Sequence, residues 1–98
     1  MKKYERIKCA DGFSMSVQAN STAYCHPRSD NAASYIEVEV GFPNKPEPLL
    51  ERYAENPASL TETVYAWVPA PVVLDVLAKH GGIVSGELPP GVIYLEAS

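Results

Sequence analysis

The chain has 98 residues, of which 46% are apolar and 20% charged, with a formal net charge of −4. That length makes one domain, residues 1–98, with one modest core, and the composition is that of a globular protein. The negative balance argues against nucleic-acid binding, which needs a cationic footprint, and no apolar run approaches the roughly 20 residues of a membrane span.

The N-terminal MKKYERIKC is basic but has no apolar stretch behind it, so it does not read as a signal peptide and a cytoplasmic setting is expected. Cys9 and Cys25 are then reduced thiols; export would instead allow one disulfide between them. Charge is unevenly spread. Residues 1–11 carry +2, whereas residues 30–62 carry −5, from Asp30, Glu37, Glu39, Glu47, Glu51, Glu55 and Glu62 against Lys45 and Arg52. Such a stretch either meets a basic partner or is a solvated face. The 9 prolines cluster at 43–48, 69–71 and 89–90, which predicts rigid corners.

In chain order, residues 3–19 read as a β-hairpin turning at Asp11-Gly12, where Gly accepts positive φ and Asp tolerates it. Ile7 and Cys9, then Phe13, Met15 and Val17, alternate with polar residues and point inward. Residues 20–34 form a polar loop with room for a short strand near Ala23–Cys25; a loop of that length is usually functional or mobile. Residues 35–42 alternate Ile36, Val38 and Val40 against Tyr35, Glu37 and Glu39, a strand with one wet face. Glu47–Glu55 predicts a short helix carrying Leu49, Leu50 and Tyr53 on one side, ended by Asn56-Pro57.

Residues 63–68 predict a strand. A helix follows, with Pro71 in its first turn, Val72, Val73, Val76, Leu77 and His80 inward, and Gly81 as a left-handed stop. Ile83–Ser85 and Val92–Glu96 are the last strand candidates. The crossover from Val68 to Ile83 is long enough for a parallel βαβ unit.

Few residues carry chemistry. Cys25-His26-Pro27-Arg28 is the densest cluster. A thiolate nucleophile needs a neighbour that lowers its pKa, yet adjacent side chains of an extended segment point apart. Cys9, Cys25, His26 and His80 include no paired spacing of the kind zinc sites use. The plain alternative makes Cys9 a small buried hydrophobe and His80 a helix-end residue. No phosphate loop, dinucleotide fingerprint or hydrolase motif is present. Gly81-Gly82 lies at the negative end of its helix, where anions do not bind. Glu37 and Glu39 share a strand face about 6.5–7 Å apart, and solvation explains them better than acid–base chemistry. Tyr24, Tyr35, Tyr53, Tyr65, Trp67 and Tyr94 are suited to interfaces because they bury area while keeping a polar tip wet. Tyr65 and Trp67 are expected to share one strand face.

The segments CADGFSMSVQA, EVEVGFP and VYAWVPAPVV…HGGI together resemble small uncharacterised proteins encoded by bacteriophages and prophages, over most of the chain. The resemblance brings no catalytic motif and no site residues. It implies no known activity; small acidic proteins of this kind often act by binding a host protein.

The sequence thus predicts an α+β domain with a single mixed or mainly antiparallel sheet of four or five strands and two helices. It predicts no catalytic residue, cofactor or metal. A protein partner, not nucleic acid or membrane, is expected at Tyr24, His26, Arg28, Glu37, Glu39, Tyr65 and Trp67. The alternatives are a structural or virion-associated protein, or a thiol enzyme or metal protein built on Cys25 and His26.

Overall fold

The computed structural model describes residues 1–98 and contains one five-stranded sheet, one α-helix and a 3-10 turn. Strands β1 (Ile7–Cys9), β2 (Ser14–Gln18), β3 (Glu37–Gly41), β4 (Val64–Pro69) and β5 (Ile83–Ser85) lie in the order β4-β3-β2-β1-β5, every neighbouring pair antiparallel. Helix α1 (Ala70–Lys79) joins β4 to β5. No helix is long and apolar enough to cross a membrane.

The period-two patterns build the sheet as expected. Ile7 faces Met15 and Val17 faces Val40 across the ladders, and all four are wholly buried. Helix α1 lays Val73, Val76 and Leu77 into the same cluster and leaves Asp75, Ala78 and Lys79 outside. Burial of each such side chain is worth about 1.5–3 kcal/mol. The helix stops where the sequence says it should. Gly81 and Gly82 both take φ +86°, and a Cβ on Gly82 would lie 2.7 Å from the Glu96 carbonyl and the Ala97 amide. The close approach lets the C-terminal segment dock beside β5.

Several expectations fail. No second α-helix forms at Glu47–Glu55. Leu50, Glu51, Tyr53 and Ala54 all donate three residues back, and only Glu51–Tyr53 is a 3-10 helix. Pro48 has no donor to offer, and the Glu47 carboxylate takes the Leu49 amide at 2.8 Å. Leu50 is buried there while Leu49 is exposed.

No parallel βαβ unit exists either. β4 and β5 occupy opposite edges of a wholly antiparallel sheet, so the helix spans the sheet instead of joining neighbours. Val92–Glu96 makes only a one-residue bridge, Ile83 to Glu96, and Ala23–Cys25 makes no strand.

The strand predicted from residue 35 begins at Glu37, and the two residues before it are reversed: Tyr35 is buried and Ile36 is 60% exposed. Tyr35 N–H donates to the Pro90 carbonyl, and Ile36 is pinned between His26 and Ala70, which takes the backbone out of the pleat.

Both sheet edges are covered. Ala54 bridges to Tyr65 on β4 and Glu55 N–H donates to the Val64 carbonyl, while Ile83 exchanges hydrogen bonds with Leu95 and Ala97. Neither edge is left as a long template for strand addition.

Candidate functional site

The sheet's outer face gathers most of the predicted binding residues. The gathering depends on a β-bulge. Val40 pairs with Tyr65 and Val38 with Val68, so Ala66 and Trp67 together stand opposite the single residue Glu39. The extra residue changes the alternation. Tyr65 and Val68 both point into the core and Trp67 points out, 44% exposed. Trp67 adopts φ +47°, a conformation that costs a bulky L-residue roughly 1–3 kcal/mol. Its N–H donates to the Tyr24 carbonyl at 3.0 Å, which holds the bulge in place.

Tyr65, expected on the same face as Trp67, therefore lies outside the candidate surface. It is wholly buried, its hydroxyl donates to the Leu60 carbonyl, and burial, with Glu51 assisting, raises its pKa. It belongs to the core.

The other six residues come together. The Tyr24 and Trp67 rings lie 5.1 Å apart with a 37° tilt. The Arg28 guanidinium sits over the Tyr24 ring at 5.4 Å and donates to the Thr22 carbonyl at 3.1 Å. Tyr24 N–H donates to the Glu39 carboxylate at 2.9 Å, tying the 20–34 loop to β3. His26 forms an antiparallel bridge with Glu37, so the exposed His26 stands next to Glu37 on the Glu37–Glu39 face. The loop is thus ordered across the sheet. Asn20, whose side chain accepts the Thr22 and Ala23 amides, folds its start, and the buried Ala23 and Cys25 anchor it.

Cys25 is not displayed as a nucleophile. It is 1% exposed and its thiol donates to the Asn20 carbonyl at 3.2 Å. Cys9 is buried and unpaired, and burial followed by the nearby Asp11 pushes its thiol pKa up. No three His, Cys, Asp or Glu side chains are grouped to hold a metal ion.

A second polar cluster lies inside, and the sequence signal for it was misread. His80 is not simply a helix-end residue. Its Nδ1 lies 2.6 Å from Asp11 Oδ2 and its Nε2 2.7 Å from Glu47 Oε1, with Phe13 stacked on the ring at 4.1 Å. Glu47 is 1% exposed. Burial opposes its ionisation, yet the Leu49 amide, His80 and Lys79, whose Nζ is 3.0 Å away, together hold its carboxyl below the usual range. The Phe13 amide and His80 do the same for Asp11. Both ring nitrogens are occupied and the ring is buried, with only Asp11 and Lys79 reaching solvent, so the cluster is a structural clamp joining the hairpin turn, the 43–50 segment and the helix end. The clue in the sequence was a set of three ionisable residues, at 11, 47 and 80, too far apart to connect without the fold.

Comparison with protein-family models, with curated proteins and with solved structures yields no match.

Proposed function

We propose that this protein is a binding module that docks a protein partner on the outer face, through the Tyr24–Trp67 pair and its rim of His26, Arg28, Glu37 and Glu39. One observation carries the reading: the sole tryptophan is held outward, 44% exposed, by a bulge at which its own backbone takes a positive φ. Strain of that kind persists where the surrounding structure needs a side chain in a set place. Trp and Tyr are also the residues that most often dominate interface energetics.

The covered sheet edges favour this reading over self-assembly by strand pairing. The buried Cys25 thiol gives no support to thiol chemistry. The likeness to phage-encoded proteins is compatible with a host protein as the partner.

The test is site-directed photo-crosslinking in an extract of the native cell. A crosslinking side chain at position 28 is expected to capture a defined protein. The same side chain at Val84, 61% exposed on the far edge strand, is expected not to. Equal capture from both positions, or none from position 28, contradicts the proposal.

A further inference from the structure

We infer that the partner presents a basic segment, with an arginine or lysine laid on the exposed face of Trp67; this rests on the docking face proposed above. The chain already uses this chemistry internally, since guanidinium groups lie over Tyr24 at 5.4 Å and over Tyr53 at 5.7 Å. Trp is the strongest ring for such contacts, and the exposed face of Trp67 has no cation of its own over it.

The surrounding charge fits the same occupant. Strand β4 lies between β3, which carries Glu37 and Glu39, and the segment bearing Glu51 and Glu55, which is bridged to β4 at Ala54–Tyr65. The chain's ion pairs engage Asp11, Glu47 and Glu87, leaving these four glutamates without an ionic partner. Arg28 and Arg52 oppose them locally, but their guanidinium groups lie over Tyr24 and Tyr53, and Arg28 also donates to the Thr22 carbonyl. A basic segment crossing Trp67 gains a cation–π contact and a choice of carboxylates. An acidic segment gains no cation–π contact at Trp67 and meets carboxylates of its own sign.

Because Trp67 is the only tryptophan, its fluorescence reads the site directly. Three matched nonapeptides, alternating serine with arginine, lysine or glutamate, are titrated at about 20 mM and about 200 mM salt. The arginine peptide is expected to shift the emission saturably, the lysine peptide more weakly and the glutamate peptide not at all, with affinity falling several-fold at the higher salt. By calorimetry, Trp67→Gly is expected to weaken the arginine peptide about fivefold, and Glu37→Gln to weaken it in the same direction. A flat response to the arginine peptide, or an affinity unchanged in Trp67→Gly, overturns the inference. Saturable binding of the glutamate peptide at Trp67 also overturns it, while leaving the docking face standing. Failure of the docking face itself would be read separately, in the crosslinking.

Discussion

The Nε2 atom of His80 and the Oε1 atom of Glu47 lie 2.7 Å apart in the interior, one from the end of α1 and the other from the segment between two prolines. This pair gives the small core a polar fastening. Removing the ring takes away hydrogen bonds to two carboxylates, each worth about 1.5–3 kcal/mol, while Lys79 and the Leu49 amide still hold Glu47. His80→Ala is therefore expected to lower stability by about 2–4 kcal/mol, measured as a reduced urea midpoint with an unchanged slope. A loss below about 1 kcal/mol would mean that the pair is worth no more than a surface contact.

The same cluster contributes to the acid limb of stability, beside Asp30 and Glu87, whose carboxyls are also held low by backbone amides. Asp11 and Glu47 are both held below their ordinary carboxylate pKa in the folded chain. A depressed carboxylate stabilises the fold at pH values above its unfolded pKa of about 4, and that contribution is lost as pH falls through the folded value. Unfolding free energy is expected to drop from about pH 4.5 downward. Glu47→Gln should flatten part of that drop. An acid limb identical in the variant would place the linkage elsewhere.

The thiols offer a check on burial. Cys9 and Cys25 are 3% and 1% exposed. Both are expected to be modified by an aromatic disulfide reagent only on the timescale of unfolding, and at once in denaturant. A fast phase of one thiol in native buffer would show that the 20–34 loop, or the hairpin end, opens on its own.

Tyr65 and Trp67, two residues apart, should behave as opposites. Tyr65→Ala removes a core side chain and is expected to cost about 3–5 kcal/mol. Trp67→Gly relieves a positive φ and removes a half-exposed ring, so its effect on thermal unfolding should stay within about 1 kcal/mol of neutral. A large loss for Trp67→Gly would make the bulge a packing device instead of a presentation device.

The contrast also marks where sequence reasoning stops. Alternation placed Ile7, Met15, Val17, Val38 and Val40 inside, and helical spacing did the same for Val73, Val76 and Leu77, because each lies in a regular element whose period is fixed. Residues 64–69 read as a regular strand too, and the bulge there is invisible in the alternation. It is imposed by pairing with Glu39 and by the Tyr24 carbonyl, both distant in sequence. Tyr35 and Ile36 were reversed for the same kind of reason, since Pro90 and Ala70 set their backbone. Glu47 looked like the start of a helix on an acidic surface; only the fold brings His80 and Lys79 to it. Of the seven residues read as a candidate face, six lie together on the outer side of the sheet, whereas Tyr65 is turned inward by the bulge, which no local pattern shows.

The docking face is tested most directly by comparing the wild-type chain with Trp67→Gly at matched folded fraction, each used to capture the protein that crosslinks to position 28. The variant is expected to keep its fold and lose that protein by at least tenfold. Undiminished capture by folded Trp67→Gly would contradict the assignment of the outer face as the working surface.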